Sequence, residues 1–410
     1  MTTPRLPLKP LDDALAELLD FAKVLPDVES VSTFEADGRV LAQDVVSALQ
    51  VPPQDNSSMD GYAVRCADVQ RAAGGALPVS QRIAAGASGQ PLAPNSVARI
   101  FTGAPIPGGA DAVVMQEDCE LLPSGALRLK AAPAPGEWIR RAGEDVTQGA
   151  VVLLKGERLT PAGLGLAASI GLNMLSVARR PKVALFSTGD ELVMPGDVAP
   201  EHMRPGAIYN SNRFFLRALL VRLGCEVTDL GIVPDRLDAT QFALQSAALS
   251  HDLILTSGGV SVGEEDHIKP AVQSLGSLDL WQIAIKPGKP FAYGQVQAAH
   301  FIGLPGNPVS SFVTFMLLVR PFLLKLQGVT QITPKSVAMT AGFTWARPDK
   351  RREFLRVKRD ESGGLALFPN QSSGVLTSAV WGDGLVDNPP GQAIKVGDAV
   401  RFIPFSELLV

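Results

Sequence analysis

An alternation of strand and helix patterns between residues 183 and 326 constrains the fold of this chain more than any other feature. Short apolar runs without a helical period are separated by amphipathic stretches long enough to form helices. This alternation is typical of a parallel sheet, because each crossover between parallel strands needs a helix-length connection. We therefore predict a doubly wound α/β domain over residues 179–328. Its predicted strands are residues 183–187, 227–233, 253–256 and 278–285, and its predicted helices are residues 213–223, 239–249, 268–275 and 309–326.

The loops after these strands carry many polar residues, and ligands bind at that end of open α/β sheets. In Leu253–Asp266 a buried-strand pattern ends at a glycine pair and is followed by Glu264, Glu265 and Asp266. Glycines allow backbone N–H groups to line an anion-binding concavity, and carboxylates beside it suit a hard divalent cation. A solvated acidic turn is the alternative, but the position after a buried strand favours a binding site. The other polar loops bring acids, lysines and a helix N-terminus, and they are residues 188–191, 234–235, 286–290 and 304–308.

Two short motifs point to other chemistries, and their context disfavours both. Gly259–Gly263 fits the G-x-S-x-G nucleophile elbow of serine hydrolases. That elbow begins a helix at the serine, whereas Gly263 and three acids follow Ser261 here. The catalytic histidine should also lie far beyond the serine, but His267 is too near it and His300 lies in a predicted strand. Gly163–Ala168 fits the loose dinucleotide pattern G-x-G-x-x-A. A Thr-Pro pair at 160–161 already begins a helix there, so these glycines indicate helix packing.

The composition excludes several classes of protein. Hydrophobic residues make up 46% of the chain and charged residues 19%, which predicts large buried cores rather than disorder. A net charge of -4 argues against a nucleic-acid-binding protein, which needs a basic face. The three cysteines are far apart and the four histidines are scattered, so we expect neither a disulfide framework nor a soft-metal site. Any bound metal should be a hard ion held by oxygen ligands.

The chain shows no pattern for export or membrane insertion. The N-terminus lacks the apolar core of a signal peptide. Residues 159–178 carry no charge, but prolines and glycines interrupt them, and they are better interpreted as a short helix beginning at Pro161 and a following strand. We therefore expect a soluble, cytoplasmic protein without a membrane partner.

Three further domains are predicted around the α/β domain. Helical spacing predicts a helix over residues 11–22, and residues 146–178 are expected to pack with it, forming a discontinuous N-terminal linker and dimerisation domain from residues 1–50 and 146–178. Short strands and Gly/Pro turns predict an inserted β-rich domain over residues 51–145, and an all-β pattern predicts a barrel-like C-terminal domain over residues 329–410. Within the inserted domain Asp60 precedes a glycine, so its residue type alone favours a turn over a ligand contact.

Taken together, these motifs resemble the molybdopterin molybdenumtransferases of molybdenum-cofactor synthesis, whose fold also forms the E domain of gephyrin. The resemblance extends over nearly the whole chain. Each motif is modest alone, but their common order is specific to the family. The motifs are Asp55–Ala63, Thr102–Ala104, Gly109–Val114, Gly143–Asp145, Ser187–Leu192, Ser257–Asp266, Ile285–Pro290 and Gly303–Pro308.

The resemblance implies a reaction and its partners. Adenylylated molybdopterin and molybdate bind together, the oxyanion is inserted at the dithiolene, and the phosphoanhydride is cleaved to release AMP and molybdenum cofactor. Mg²⁺ is the implied cofactor. The family forms elongated homodimers, with the site between the α/β domain of one subunit and parts of the other. The resemblance also admits the molybdopterin adenylyltransferase as a partner, and neither nucleic acid nor membrane is expected.

The same resemblance agrees with the residues expected to bind the anions. Lys286 and Lys289 are the predicted cations, because a phosphoanhydride and a dianion must meet despite their like charge. Ser261 is predicted to donate a hydrogen bond beside them. The resemblance adds Arg352 and Ser373 of the C-terminal domain as molybdate contacts, although the basic run around Arg352 would otherwise be an exposed hairpin.

The resemblance also assigns carboxylates and loop residues. Glu191, Asp235 and Asp266 are predicted both to act in catalysis and to bind the metal ion. From the inserted domain, and so from the partner subunit, come Asp60 as a catalytic residue and two substrate contacts. The remaining predicted substrate-binding residues are Thr102, Asp145, Pro305 and Pro308, of which the two prolines fix the loop before the last helix.

Two alternatives share the fold, and one position departs from the family. A molybdopterin adenylyltransferase usually consists of the α/β unit alone, so the extra domains disfavour it. A non-catalytic scaffold is disfavoured because the acids and lysines are retained. After Trp281 the family often has a basic residue, whereas this chain has Gln282, which would weaken one substrate contact.

Overall fold

The α/β domain contains a mixed six-stranded sheet. The computed structural model describes residues 8–259 and 267–409. The strands are β1 (Lys182–Thr188), β2 (Glu226–Val233), β3 (Leu253–Ser257), β4 (Gly276–Gln282), β5 (Pro290–Val296) and β6 (Ala299–Leu304), in the order β2-β1-β3-β6-β5-β4. β2, β1, β3 and β6 pair in parallel, and β5 is antiparallel to both of its neighbours. β4 therefore runs in the direction of the parallel strands, and the loop after it lies at their carboxyl edge.

Four helices cover the two faces of this sheet: α1 (Asn212–Arg222), α2 (Leu237–Ala248), α3 (Ile268–Leu275) and α4 (Pro308–Leu326). Alternate residues of β1 point to opposite faces, so Leu185 packs with α1 and α4 while Phe186 packs with α2 and α3. The predicted doubly wound domain is confirmed. The β5–β6 hairpin was not predicted, and the strand expected over residues 278–285 is divided between β4 and a short strand in another sheet, Ile285–Lys286.

The N-terminal helix, Leu11–Phe21, packs on the α/β domain. Its buried Ala14 and Leu18 belong to the same core as α1 and α4. This differs from the expected packing against residues 146–178. Those residues share a core instead with residues 31–45, because strand Val28–Ser32 pairs with strand Met174–Ala178.

The rest of this discontinuous region forms short elements. Strand Val45–Val46 pairs with strand Val151–Leu153, and a 3₁₀ turn spans Thr33–Glu35. Helix Pro161–Ser169 begins as the sequence predicts, since the Thr160 hydroxyl accepts a hydrogen bond from the Gly163 N–H at 3.2 Å.

The inserted region forms a second six-stranded sheet. Its strands, in spatial order, are Ala112–Met115, Gly61–Val64, Val97–Ile100, Leu77–Ile83, Ala126–Leu129 and Cys119–Leu121. A small pair joins strands Asn56–Ser57 and Ile139–Arg140, and a 3₁₀ turn spans Gln116–Asp118. Helix Cys66–Ala72 was not predicted, because it is short and Arg65, at its N-cap, provides no side-chain capping bond.

The C-terminal region is a third mixed sheet with two short helices. Its strands, in order, are Ile285–Lys286, Arg352–Arg359, Gly384–Asn388, Ala399–Pro404 and Val337–Thr340, with Leu365–Leu367 beside the second of them. The helices are Thr377–Trp381 and Phe405–Leu408. Between β1 and α1 lie the remaining short elements, strands Leu192–Val193 and Ile208–Tyr209 and the 3₁₀ turn Pro200–His202. Strand Ile285–Lys286 of the C-terminal sheet comes from the loop after β4, so it joins this sheet to the α/β domain.

One helix of the described chain, α4, is long and apolar enough to cross a membrane. Its most apolar window has a mean hydropathy of 1.6, but 83% of that window is buried inside the protein. It is the central helix of the core, and it widens to π-helical bonding over Phe315–Val319.

Candidate functional site

A cavity of about 610 Å³ lies at the carboxyl edge of the α/β sheet. β1 lies between β2 and β3 in the sheet. The chain passes from β1 to β2 on one side and then crosses back to β3 on the other, so the order of the strands reverses between β1 and β3. Such a switch point leaves a crevice in which α/β proteins bind ligands. The cavity is lined by residues of β1 and β3, the loop after β6, the segment before α1, the start of α4 and Gly374 of the C-terminal region.

Glycines at this edge bring three segments of backbone close together. Gly258 and Gly259 have φ angles of +95° and +67°, which L side chains rarely adopt. A Cβ atom on Gly259 would lie 2.5 Å from Cγ1 of Ile268. The Gly258 N–H donates to the Leu304 carbonyl at 3.0 Å. The turn after β3 is therefore fixed against both β6 and α3.

Asn212, the first residue of α1, joins two of these segments. Its Nδ2 donates to the Ser257 Oγ and to the Gly306 carbonyl, both at 2.7 Å. The Asn212 side chain is buried, so these bonds satisfy a polar group that would otherwise be costly to bury. The loop before α4 is thereby held to the end of β3.

The N-terminus of α4 opens onto the cavity. Pro308 is the first residue of the helix, and Asn307 makes no side-chain capping bond. Pro305 and Pro308, both predicted as loop-shaping residues, line the cavity. The Val309 N–H donates to the Ser373 carbonyl at 2.9 Å, so the C-terminal region packs at this helix end. Pro308 has no N–H and the Val309 N–H is already bonded, so this helix end would favour an anion through its dipole rather than through these two positions.

Two predicted metal ligands lie near this edge. Glu191 lines the cavity, and its carboxylate covers Gly189 so closely that a Cβ there would lie 2.6 Å from Oε2. Within the described part of the chain the Glu191 carboxylate has no hydrogen-bond or ion-pair partner. Asp235 follows the end of β2 and has an interaction partner. Asp266, like Ser261, lies outside the described residues.

Lys286 and Lys289 lie on the loop after β4 in different surroundings. The Lys286 Nζ lies 3.2 Å from Glu353 Oε1 and 3.5 Å from Asp349 Oδ2. Glu353 is fully buried and also accepts a hydrogen bond from the Trp345 indole N–H at 2.7 Å. The Lys286 charge is therefore compensated. Lys289 has no ion-pair partner among residues 8–259 and 267–409, so it is the cation more available to an anion.

Arg352 is also paired with carboxylates. It donates two parallel hydrogen bonds to Asp387 at 2.6 and 2.7 Å and a third to Asp12 at 2.9 Å. The bonds to Asp387 raise the pKa of the Arg352 guanidinium above its ordinary value. Lys286 pairs with Glu353 in the parallel register, and adjacent residues of a strand point to opposite faces. Arg352 and Lys286 therefore face opposite sides of the C-terminal sheet.

A second cavity, of about 530 Å³, lies beside Arg352 and opens between the N-terminal segment and the C-terminal sheet. Its charged lining residues are Arg352, Arg401, Asp12 and Asp387. Opposite charges are matched here, since Asp387 also lies 3.4 Å from Arg401. The switch-point cavity, with its open helix N-terminus and its Glu191 carboxylate, is the better candidate for an anionic ligand with a cation.

Arg356 was not predicted as a site residue. It is 1% exposed and donates to the Ser378 hydroxyl at 3.1 Å and to the carbonyls of Phe354 and Ser372 at 3.1 and 3.3 Å. It has no carboxylate partner in the described chain, and burial lowers its pKa to about 10. A positive charge therefore lies behind the segment that contains Ser373 and lines the cavity at Gly374.

A signal for Arg356 exists in the sequence. Arg352, Phe354 and Arg356 alternate on the strand face toward the α/β domain, and Phe354 belongs to the α/β core. Alternate residues of a strand share a face, so Arg356 is expected on the same side as the buried Phe354. The surrounding run of basic residues concealed this pattern.

The predicted site residues of the inserted region lie elsewhere. Asp60 Oδ1 accepts hydrogen bonds from both the N–H and the hydroxyl of Thr102 at 2.8 Å, and these bonds lower the pKa of the Asp60 carboxyl. Asp60, Thr102 and Asp145 are exposed. None of them lines either of the two cavities described above.

Three family models match this chain and together cover most of its length. Family models match in order: the MoeA N-terminal region (domain I and II) at residues 9–171, a probable molybdopterin binding domain at residues 184–325, and the MoeA C-terminal region (domain IV) at residues 338–405. The chain belongs to the MoeA family. The family predicted from the sequence is confirmed.

Relatives within the MoeA family are similar over nearly their full length. A molybdopterin molybdenumtransferase of Haemophilus influenzae is 46% identical over 407 residues, covering 97% of this chain and 99% of that protein. Molybdopterin molybdenumtransferase 2 of Mycobacterium tuberculosis is 39% identical over 376 residues, covering 88% and 90%. A crystal structure of the molybdopterin biosynthesis MoeA protein from Pyrococcus horikoshii aligns with a TM-score of 0.84 at 29% identity, covering 97% and 100%. The chain therefore has the MoeA fold.

Proposed function

We propose that this chain is a molybdopterin molybdenumtransferase, which inserts molybdate into adenylylated molybdopterin and releases AMP to form molybdenum cofactor. The observation that carries the proposal is the switch-point cavity. The positive end of the α4 helix dipole, a glycine turn and the Glu191 carboxylate, which has no partner among residues 8–259 and 267–409, meet there in a chain with the complete MoeA order. The relative from Haemophilus influenzae, which is 46% identical, has the name of this enzyme.

The reaction brings together a phosphoanhydride and a tetrahedral oxyanion despite their like charge. A cavity of about 610 Å³ lies within the range that accommodates small-molecule ligands. Pro308 has no N–H and the Val309 and Gly258 N–H groups are already bonded, so the positive end of the α4 dipole is what would favour phosphate oxygens here. The bond from Val309 to Ser373 fixes the α4 N-terminus, so the helix dipole is oriented before the substrate binds.

We assign the oxyanion to the side of the cavity nearest the C-terminal region. Lys289, which directly precedes the lining residue Pro290, provides a cation without an ion-pair partner among the described residues, while Lys286 is oriented by Glu353. Ser373 and the buried Arg356 behind its segment contribute from the C-terminal sheet. Arg352 would have to leave Asp387 before its guanidinium could bind molybdate directly. Ser261 remains a predicted donor outside the described residues.

The residues fit a hard divalent ion in part. Carboxylate oxygens suit Mg²⁺, and Glu191 and Asp235 both lie at the carboxyl edge of the sheet. In residues 8–259 and 267–409 no group of three or more acidic, histidine or cysteine side chains could hold a metal ion, so the proposed set also needs Asp266. When bound, Mg²⁺ would neutralise charge on the phosphoanhydride. Glu191 would then contact both the ion and the cavity that holds the nucleotide.

We propose that a second copy of the chain completes the site. Exposed apolar side chains cluster in residues 28–46 and 151–174, including Phe34 at 90% exposure and Val28 at 57%. An apolar groove of about 660 Å³ adjoins Phe34 along helix Pro161–Ser169. Exposed apolar surface of this kind supports a homodimer. The inserted region of the second copy would then bring its Asp60, Thr102 and Asp145 to the cavity.

Mixed dimers test this arrangement directly. Asp60→Asn and Glu191→Gln chains should each be inactive alone. If each site combines Glu191 of one subunit with Asp60 of the other, random mixing restores about a quarter of the sites, because one of the two sites in each heterodimer is then unaltered. No recovery after verified subunit exchange would place both residues in one subunit.

The activity itself is tested with adenylylated molybdopterin. AMP release should depend on added molybdate and on a divalent ion. ATP consumption with molybdopterin would instead support the disfavoured adenylyltransferase, and substrate binding without turnover would support a scaffold. We also propose that the reaction is cytoplasmic and that the adenylyltransferase, which forms the substrate, is a binding partner from which the substrate is transferred.

A further inference from the structure

The loop that carries Lys286 and Lys289 is bound by the N-terminal segment of the chain. We propose that residues 9–12, here called the N-terminal strap, position this loop for the oxyanion. The inference rests on the proposed function and deepens it, since it assigns positioning residues that lie outside the switch-point cavity. None of the strap residues lines that cavity, so their effect must pass through the loop.

Backbone hydrogen bonds join the strap to the start of the loop. The Lys9 N–H donates to the Gln282 carbonyl at 2.7 Å, and the Ala284 N–H donates to the Lys9 carbonyl at 2.8 Å. Lys9 and Ile283 form a parallel bridge. The Ala284 carbonyl in turn accepts from the Arg352 N–H at 2.9 Å. Ala284, two residues before Lys286, is therefore held by the strap and by the C-terminal strand together.

Side chains fix the strap itself. The Lys9 Nζ lies 4.1 Å from the centroid of the Trp281 ring and 2.5 Å from Glu17. Leu11 is 7% exposed and belongs to the α/β core. Asp12 accepts from Arg352 at 2.9 Å, but its side chain is 83% exposed, so this ion pair contributes little to stability. The buried Leu11 and the backbone bonds of Lys9 carry most of the attachment.

The later part of the loop has other restraints. The Ile283 N–H donates to the Lys289 carbonyl at 2.7 Å and closes the loop. Gly288 packs so closely on α4 that a Cβ would lie 2.3 Å from Thr314 Oγ1. Release of the strap would thus leave the closing end in place and free the Gln282 carbonyl and the Ala284 N–H. The expected result is a mislocated Lys286 in a protein that remains folded.

Kinetics of the full-length enzyme test the inference. Lys9→Pro removes the donor to Gln282 and leaves the chain extended, as residue 9 already precedes a proline. Lys9→Ala, which loses the same contacts with Trp281 and Glu17 but keeps the N–H, is the reference for the backbone bond. Loss of one such bond should raise the KM for molybdate about five-fold, the factor that corresponds to roughly 1 kcal/mol. The KM for adenylylated molybdopterin should stay unchanged, and amide hydrogen exchange at Ala284 should become faster.

A second pair of variants keeps the test valid if Lys9→Pro does not fold. Asp12→Ala removes the ion pair between the strap and Arg352, and the looser strap should raise the molybdate KM about two-fold, as expected for an exposed ion pair. A lower KM would mean that the freed Arg352 binds the oxyanion itself, and it would overturn the strap's role. Asp13→Ala changes the neighbouring exposed acid in the same first helical turn and is the matched control.

The outcomes separate the two proposals. Faster exchange at Ala284 with an unaltered molybdate KM would overturn the strap's role and leave the proposed function intact. An equal rise in both KM values would also overturn it, because the effect would not be specific to the oxyanion. A wild-type protein without molybdate-dependent AMP release would overturn the proposed function, and the strap's role would be rejected with it.

Discussion

Replacement of Arg356 by methionine separates a functional role for this buried arginine from a stabilising one. Arg356 is 1% exposed and has no carboxylate partner in the described chain. Burial lowers its pKa to about 10, below the ordinary value of a guanidinium. Because the folded-state pKa of this cation is depressed, the cost of burying the charge is present at every pH below about 10. It is relieved only as the pH rises from there toward the unfolded-state value.

The free-energy cost of burying the Arg356 charge is nearly balanced by the hydrogen bonds that the guanidinium makes. This lowering of the Arg356 pKa corresponds to roughly 3 kcal/mol of destabilisation at neutral pH. The three hydrogen bonds to Ser378, Phe354 and Ser372 contribute about 1 kcal/mol each. Methionine retains most of the side-chain volume and loses both effects. The free energy of unfolding of Arg356→Met should therefore lie within about 1 kcal/mol of the wild-type value.

Activity should respond very differently. Without Arg356 the segment around Ser373 loses its bond at Ser372 and the positive charge behind it. The KM for molybdate should rise at least ten-fold, which corresponds to about 1.4 kcal/mol. Urea unfolding and molybdate-dependent AMP release measure the two quantities. Arg359→Met, on the exposed end of the same strand, is the control.

Two results would refute this reasoning. A loss of more than about 3 kcal/mol in the free energy of unfolding would mean that the arginine is retained for stability. A stable variant with a normal KM for molybdate would mean that neither its charge nor its hold on the Ser373 segment serves the site.

Three further predictions follow from described contacts. Gly259→Ala should destabilise the protein by about 2–4 kcal/mol, because the new Cβ would lie 2.5 Å from Ile268 of α3 and because an alanine there would have to adopt a positive φ. Gly363→Ala, at a positive φ with open space around it, is the control and should lower the free energy of unfolding in urea by only about 1 kcal/mol. Glu353→Gln should lower stability by about 1–3 kcal/mol and raise the molybdate KM, because Lys286 loses its buried counter-ion; a normal KM would argue against a role for Lys286. Burial opposes ionisation of Asp252, but hydrogen bonds from Arg179 and a backbone N–H outweigh it and lower the pKa of the carboxyl. The stabilisation by this carboxylate is therefore present above about pH 4 and is lost as the pH falls below that value. The difference in urea midpoint between the wild type and Asp252→Asn should shrink from pH 7 to pH 3.

Elements with strong local signals were predictable from the sequence. The helix over residues 268–275 has the bounds that its apolar spacing predicts. Thr160 and Pro161 predicted the start of their helix because a capping hydroxyl and a proline at the first position act locally. The polar loops at the end of β1 and before α4 were placed at one cavity, because parallel strands bring their carboxyl ends to one edge.

Features that depend on distant contacts were not predictable. The β5–β6 hairpin turns at Gln297, whose φ of +54° has no Gly or Asn signal. Strand Gly384–Asn388 has no clear strand pattern, because its Asp387 and Asn388 are typical of a polar loop and are buried only through their pairing with Arg352 and Glu353. The compensation of Lys286 by Glu353 joins residues 67 positions apart and leaves no local pattern.

Lys286 and Lys289 are three residues apart but belong to two different sheets. Lys286 is part of the C-terminal sheet through its pairing with Glu353, whereas Lys289 directly precedes β5 of the α/β sheet. A rotation of one sheet against the other would change the separation of the two ammonium groups without moving either side chain relative to its own sheet. If both lysines bind the oxyanion as proposed, its affinity would depend on the angle between the two sheets, and a larger separation would weaken binding.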